Sequence, residues 1–221
     1  LAKLSPERRA LLEQKLSVHL ERIDAVAITR RSPDAGWAPL SFSQELLWRL
    51  AQSVPDLVAY NVPRVLRITG ALDAGALQRS LYEIVRRHEI LRTRFVDTEK
   101  GLRQVVDLPA AAPFELVDFS TVSPESVEVA VDQLLVDRTR YNFDLTRDVQ
   151  LRATLIRLTE TDHVLLLLSH HIVSDEWSRD LLFRELATLY AAHQGHGAGG
   201  LAELAIQYSD YAAWQRDAIE R

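Results

Sequence analysis

Hydrophobic residues recur with helical spacing in five segments of this chain. Leu77 and Leu81, for example, are four positions apart and therefore share one face of a helix. Residues that favour helix N-termini precede two of the segments: Ser41 or Ser43 before the first, and Ser123, followed by a proline, before the third. The pattern predicts helices within residues 41–52, 73–89, 123–140, 174–193 and 205–220.

Alternating or continuous apolar runs between these helices predict β-strands. The predicted strands lie within residues 60–69, 91–98, 102–107, 149–159 and 163–173. Short polar turns join the second strand to the third and the fourth to the fifth, which is typical of hairpins. Because helices and strands interleave and several strands pair as hairpins, the sequence predicts an α+β fold (an α/β sandwich). We expect a mixed, mainly antiparallel sheet flanked by helices.

The start of the chain follows a different pattern. Residues 1–23 are predicted to form a leading helix, with Ser5 as the N-cap and Pro6 at the first helical position. Residues 24–38 lose the helical period and are predicted to be a linker. The main domain is therefore expected over residues 39–221.

The composition of the chain argues against several classes of function. The 221 residues carry a net charge of -5, so a nucleic-acid partner is not expected. Cysteine is absent, which excludes disulfides and thiolate sites. No apolar run approaches the roughly 18 residues that span a bilayer, so we expect no membrane association and a cytoplasmic location. Methionine is absent even at position 1, so a fragment of a longer protein is expected.

The stretch LLLLSHHIVSDEWSRDL, residues 165–181, leads from four leucines to two adjacent histidines. Four consecutive leucines predict a strand that is buried on both faces. Adjacent strand residues point to opposite faces, so one of His170 and His171 is expected to be buried and the other to line an opening. Asp175 falls at the predicted start of a helix, where a carboxylate caps exposed N–H groups. An imidazole at such a corner is suited to act as a general base.

These residues alone also allow a simpler interpretation. A histidine at a strand end can be an ordinary polar residue, and helix capping explains Asp175 without any catalysis. A metal site is not expected, because His170, His171 and Asp175 lack the geometry of a zinc pair on one helix face. The spacing by itself leaves catalysis as a hypothesis.

Four segments together resemble a known family. SHHIVSDEWS, residues 169–178, resembles the HHxxxDG motif of the condensation domains of nonribosomal peptide synthetases, which chloramphenicol acetyltransferase-like acyltransferases share more loosely. RHEILRTRF, residues 87–95, matches the second condensation motif in full. SFSQELLWRL, residues 41–50, resembles the first motif, SxAQxRLWxL, and YSDYAAWQR, residues 208–216, matches the fourth. The motifs occur in the family's order, and the chain resembles the N-terminal lobe of such a domain.

The resemblance implies a chloramphenicol acetyltransferase-like lobe and a reaction. A condensation domain forms an amide bond between an acyl or peptidyl thioester donor and an aminoacyl thioester acceptor. Both substrates arrive on phosphopantetheine arms of donor and acceptor carrier proteins, at opposite ends of a tunnel, and no cofactor is expected to bind directly. Two alternatives stay open: a related acyltransferase that uses coenzyme A or one carrier, and a non-catalytic module that docks a carrier protein or tailoring enzyme.

The resemblance also assigns roles to residues. His171 would face the tunnel as general base or positioning group, and His170 would be its buried partner. Asp175 would be structural and form an ion pair with an arginine of RHEILR. Arg87 and Arg92 are both candidates, and we favour Arg92 because it opens a predicted strand and is expected to point inward.

Two residues differ from the family's pattern. Leu46 stands where the first motif commonly has arginine, and Glu176 replaces the glycine of HHxxxDG. Glu176, Trp177 and Ser178 are the expected tunnel-lining residues. Glu176 is expected either to narrow the tunnel or, in the first turn of a helix, to point into solvent, where its charge suits the helix dipole.

The later motifs of a second lobe are absent from this sequence. Because half a tunnel cannot exclude water or align two substrates, the 221 residues alone are expected to be inactive in amide formation. The isolated lobe is also expected to expose an apolar face suited to self-association. The sequence does not specify the donor, the acceptor or the product.

Overall fold

The computed structural model describes residues 27–32, 36–54, 56–99, 101–196 and 200–220. The leading helix predicted for residues 1–23 lies outside these residues. The predicted linker at residues 24–38 is described in part, and its described residues form no helix.

Helices begin where the sequence supplies capping residues. The helices are α1 Phe42–Ser53, α2 Ala74–Arg87, α3 Pro124–Thr139, α4 Glu176–His193 and α5 Tyr208–Glu220. Before α1, the Ser41 hydroxyl accepts the Gln44 N–H at 3.2 Å, and the Gln44 side chain accepts the Ser41 N–H at 3.0 Å. Reciprocal capping of this kind satisfies two of the N–H groups that a helix start leaves without partners. None of the helices in the described ranges has the length and apolar character needed to cross a membrane.

The strands divide into two sheets. They are β1 Ala38–Pro39, β2 Asn61–Thr69, β3 Thr93–Thr98, β4 Gly101–Val106, β5 Phe114–Asp118, β6 Leu151–Arg157 and β7 Asp162–His170. The larger sheet has the order β2-β7-β6-β5, with β5 and β6 parallel and the other neighbours antiparallel. The smaller sheet, β1-β4-β3, is antiparallel. The predicted α+β class and the mixed, mainly antiparallel sheet are confirmed, and the smaller sheet is an addition that the sequence did not predict.

Strand β3 of the smaller sheet packs in a second core cluster, to which Leu168 of β7 also contributes. Phe95 is fully buried in a cluster with Trp48 and Phe143. The Phe95 N–H donates to the Leu145 carbonyl at 2.9 Å, so the segment after α3 occupies the edge of β3 where a further strand would pair.

Strand β7 lies inside the larger sheet and is buried on both faces, as its leucines predict. Every residue from His163 to His170 is buried. Leu165 and Leu167 belong to the core beneath α2 and α4, whereas Val164 packs with residues of α3 on the other face. The sheet therefore holds β7, and the histidines at its end, in a fixed position.

Helices α2 and α4 pack side by side on the larger sheet. Helix α2 buries Leu77, Leu81, Ile84 and Val85, and α4 buries Leu186 among others. A 3₁₀ turn, Glu89–Arg92, follows α2 and leads into β3. This packing brings the residues after α2 close to the first turn of α4, beside the histidine pair.

Candidate functional site

The backbone turns sharply where β7 ends, and the two histidines separate there. The His171 N–H donates to the Tyr60 carbonyl at 2.8 Å, just beyond the last pair of the β2–β7 ladder. The His170 Nδ1 accepts the Ile172 N–H at 3.1 Å, which stabilises the turn. His170 is buried, with 4% exposure, and His171 is exposed. The expected division between one buried and one accessible imidazole is present in the structure.

His170 occupies an aromatic environment. Its ring centroid lies 6.4 Å from that of Tyr60 and 6.3 Å from that of Phe143. Burial, with a smaller contribution from the neighbouring His171, lowers the pKa of His170 to about 4. The imidazole is therefore neutral at physiological pH. Its packing against the two rings supports the turn that follows β7.

His171 lines a groove with a volume of about 390 Å³. Residues of all four motif segments line this groove, including Gln44 of α1, His88 after α2 and Tyr208 at the start of α5. Among the described residues, no side chain forms a hydrogen bond with the His171 imidazole, which leaves it available to a bound molecule. The described residues contain no group of three or more His, Cys, Asp or Glu arranged to hold a metal ion.

Asp175 caps helix α4. Its carboxylate accepts the Ser178 N–H at 2.8 Å and the Ser178 hydroxyl at 2.7 Å. These hydrogen bonds are the main reason that the pKa of Asp175 lies below its usual value, and the nearby His171 lowers it further. The ionised carboxylate thus lines the groove together with His171.

The predicted ion pair between Asp175 and Arg87 or Arg92 is wrong in this structure. Arg87 pairs instead with Glu185 at 3.1 Å, and both side chains are buried. Glu185 lies ten residues beyond Asp175, which corresponds to about 15 Å along a helix. Arg87, at the end of α2, packs beside the part of α4 that contains Glu185. The Asp175 carboxylate instead caps the first turn of α4.

Arg92 also has partners other than Asp175. Its guanidinium donates to the Asp107 carbonyl and to the Arg86 carbonyl, the second at 3.4 Å, and lies 3.8 Å from Glu89. Burial lowers the pKa of Arg92 from its ordinary value. The inward orientation expected for Arg92 is therefore present, but its partners are two backbone carbonyls and the Glu89 carboxylate.

The three residues expected to line the tunnel do not all lie on this groove. Ser178 lines the groove, whereas Glu176 and Trp177 are not among its lining residues. The Glu176 carboxylate accepts from Arg64 on β2 at 3.0 Å, and Trp177 is 89% exposed. Glu176 therefore does not narrow this groove. Its side chain is 66% exposed in the first turn of α4, in line with the solvent-facing expectation, and it pairs there with Arg64.

Two groove residues that sequence reasoning passed over come from the end of the chain. The Gln207 side chain donates to the Arg87 carbonyl at 2.9 Å and accepts the Glu89 N–H at 3.1 Å. The Tyr208 hydroxyl is 3.0 Å from the Ser41 hydroxyl, and burial raises the pKa of Tyr208. Tyr208 opens the fourth motif, so the motif itself was the available signal.

The chain is similar to several known proteins. The Condensation domain family model matches residues 34–221. Malpibaldin synthetase of Mortierella alpina is 44% identical over 177 residues, which cover 80% of this chain and 3% of that protein. The first condensation domain of the calcium-dependent antibiotic synthetase, in complex with a substrate analogue, has a TM-score of 0.68 and 27% identity. That match covers 75% of this chain and 40% of the other.

A further solved structure is more similar in fold. The complex of the X-domain and OxyB from teicoplanin biosynthesis has a TM-score of 0.76 and 31% identity, covering 88% of this chain and 41% of the other. The chain thus spans about two fifths of each matched structure and a small part of malpibaldin synthetase. Since the family model matches well over half of the chain, the chain belongs to the condensation domain family.

Proposed function

We propose that this chain is the N-terminal lobe of a nonribosomal peptide synthetase condensation domain and takes part in forming an amide bond between two carrier-bound substrates. One observation carries the proposal. His171, the second histidine of the HHxxxDG-like motif, is exposed on a groove that residues of all four motif segments line. Convergence of four separated segments on one accessible imidazole is what a reaction site requires.

In the proposed reaction the acceptor's neutral amine attacks the carbonyl carbon of the donor thioester. A C–N bond forms, the C–S bond breaks, and the proton that the amine loses ends on the departing thiol. His171 binds the amine nitrogen and either accepts this proton in transit or only aligns the nitrogen. Alignment matters because a thioester is already activated, so holding the two groups in contact removes much of the barrier.

The surroundings of His171 suit either role. The Asp175 carboxylate interacts electrostatically with His171, so its negative charge stabilises positive charge that develops when the imidazole accepts a proton. His170 is packed between aromatic rings and keeps the corner rigid. Rigid support is needed because a small displacement of a catalytic group has a large effect on rate.

The groove requires further components to work as a reaction site. We propose that a second lobe covers it and that both substrates reach it on phosphopantetheine arms of donor and acceptor carrier proteins. The matched structures support the first point, since this chain corresponds to about two fifths of each. A cytoplasmic location stays a prediction from composition.

The test replaces His171 in the complete protein. His171→Ala is expected to slow single-turnover amide formation between loaded carriers by at least about 100-fold, the usual contribution of a general base. His193→Ala is the matched control, because His193 is also exposed but lies at the far end of α4. Product formation by His171→Ala at the rate of the control would rule out both roles of His171.

Docking is the second candidate function, and one comparison favours it. The similar X-domain structure is a complex with OxyB, and Glu176 stands where the condensation motif has glycine. Under this alternative the complete protein binds a partner enzyme or carrier with unchanged affinity after His171→Ala, and it makes no amide before or after the change.

Acyl transfer from free coenzyme A thioesters is a further alternative within the same reaction class. A single assay separates it from condensation. The complete protein is supplied with the same acyl group either on coenzyme A or on a carrier protein. We expect product with the carrier-bound donor, and equal rates with both donors would favour the simpler acyltransferase.

A further inference from the structure

A small cavity opens from the groove beside the histidine corner. Its volume is about 80 Å³, compared with about 390 Å³ for the groove. The two share a rim from the turn after α2, the segment between β7 and α4, and the first turn of α4. The shared residues are His88, Ile90, Val173, Ser174 and Ser178. The cavity is therefore a side pocket of the groove that contains His171.

The inner wall of this side pocket is mainly aliphatic. It is formed by Leu91, Leu151, Leu181 and Leu182, with Ser169 of β7 as the polar exception. Leu91 and Leu151 are buried members of the core beneath α2 and α4, and Leu182 packs against that core. Such a wall binds apolar groups better than water.

The size of the side pocket limits what it can hold. Its volume is about half that of an apolar cavity of about 150 Å³ that admits benzene. That leaves room for a side chain of about three carbon atoms, such as that of valine, and excludes an aromatic ring.

We infer that this side pocket receives a short aliphatic side chain of one of the two substrates and thereby selects which substrates react. The inference rests on the proposed function. The carbon that bears the acceptor's amine also bears its side chain, and the carbon beside the donor's thioester carbonyl bears the donor's. The side chain of whichever reacting group lies at His171 is therefore in the groove from which the side pocket opens.

Variants at one wall position test the inference in opposite directions. Leu182→Ala enlarges the side pocket and Leu182→Phe fills it. Leu181→Ala and Leu181→Phe repeat the test from the adjacent wall residue, so that a folding defect at one position does not decide the outcome. Leu186→Ala is the control, because Leu186 is buried in the same core and on the same helix but does not line the pocket.

The assay measures single-turnover amide formation by the complete protein with carrier-bound glycyl, alanyl, valyl, leucyl and phenylalanyl groups. One arm varies the acceptor against a fixed donor, and the other varies the donor against a fixed acceptor. In one arm we expect the rate of the unmodified protein to fall at least about tenfold from the valyl to the leucyl group, and again from the leucyl to the phenylalanyl group. The alanine variants should recover the larger groups, and the phenylalanine variants should react well only with glycyl and alanyl groups.

The outcomes separate the two proposals. A shift in one arm identifies the substrate that occupies the pocket, while the Leu186→Ala control keeps the profile of the unmodified protein. If product forms while every variant keeps the substrate profile of the unmodified protein in both arms, the side pocket holds no substrate side chain. In that case the inference is overturned. If no pair yields product, the proposed function fails and the inference fails with it.

Discussion

Burial keeps the His170 imidazole neutral, and this has a consequence for stability. Its pKa is about 4 in the folded protein, whereas an ordinary histidine titrates near 6.5. Above pH 6.5 the imidazole is neutral in both folded and unfolded states and contributes no pH dependence. As the pH falls from 6.5 to 4, the unfolded chain binds a proton that the folded chain does not. The free energy of unfolding therefore falls with pH in this window.

The variant His170→Asn isolates this contribution. Asparagine does not titrate, and its side-chain oxygen is placed to accept the Ile172 N–H that the His170 Nδ1 accepts now. Between pH 7 and pH 4.5 we expect the unmodified chain to lose about 2 kcal/mol more unfolding free energy than the variant. Urea denaturation at both pH values measures the difference. Equal losses in the two proteins would show that His170 binds a proton as readily in the folded state as in the unfolded state.

Glu176 occupies the glycine position of the motif, but its side chain is held away from the groove. It pairs with Arg64 at 3.0 Å with the Glu176 side chain 66% exposed, and an exposed pair of this kind contributes at most about 1 kcal/mol. Glu176→Gln is therefore expected to change the rate of amide formation by less than about twofold and stability by less than about 1 kcal/mol. Single-turnover rates and urea denaturation check both values. A tenfold rate increase on removal of the charge would mean that Glu176 acts on the reacting groups.

At the scale of elements, the link between α2 and α4 depends on Glu185 rather than on Asp175. Glu185 contacts Arg87 at 3.1 Å and His88 Nε2 at 2.6 Å in the interior. Removing one member of a buried pair leaves an unpaired charge, so Glu185→Gln is expected to cost about 3 kcal/mol of unfolding free energy. Asp175→Ala removes a helix cap and is expected to cost about 1 kcal/mol. Urea denaturation of both variants compares the two costs.

A double variant separates the charge from the packing. Replacing both partners, Arg87→Met with Glu185→Leu, should restore most of the stability that Glu185→Gln loses, because neither charge is then left unpaired. If Asp175→Ala proves the more costly single change, Glu185 is not the main ionic link between α2 and α4.

Element boundaries were largely predictable, whereas partners between elements were not. The starts of α1 and α4 follow from Ser41 and Asp175, because capping is a local interaction between residues three positions apart. The burial of β7 follows from its four leucines. The partner of Arg87 depends on which turn of α4 lies beside the end of α2. No spacing in the sequence encodes that alignment, and the motif resemblance points to Asp175 rather than to Glu185, which Arg87 contacts.

At the scale of the whole molecule, the four motifs indicated which segments of the chain come together. Their segments line one groove, with His171 exposed on it and His170 buried, as the strand alternation indicated. The sequence does not predict the division into two sheets. That division depends on Leu145, whose backbone carbonyl covers the edge of β3, and any residue can make such a backbone contact. The parallel pairing of β5 with β6 likewise depends on a long connection, since the chain between them runs through α3.

We expect one side of the groove to be insufficient for the reaction. The described residues line the His171 groove from one side, and the matched part of this chain covers only about two fifths of each matched structure. Without a covering lobe, water reaches the imidazole and neither substrate is held in line with the other, so the advantage of alignment is lost. We therefore expect the 221 residues alone to form amide at least about 100-fold more slowly than the complete protein.

Single-turnover assays with the same loaded carriers at equal enzyme concentrations measure this ratio. The solution mass of the isolated chain should be determined alongside, because Trp177, which is 89% exposed, is an apolar group through which copies can associate. Trp177→Ser is expected to reduce any concentration-dependent association without changing the low rate. Should the isolated chain react as fast as the complete protein, the groove on this lobe is itself the whole site, and the second lobe serves another purpose.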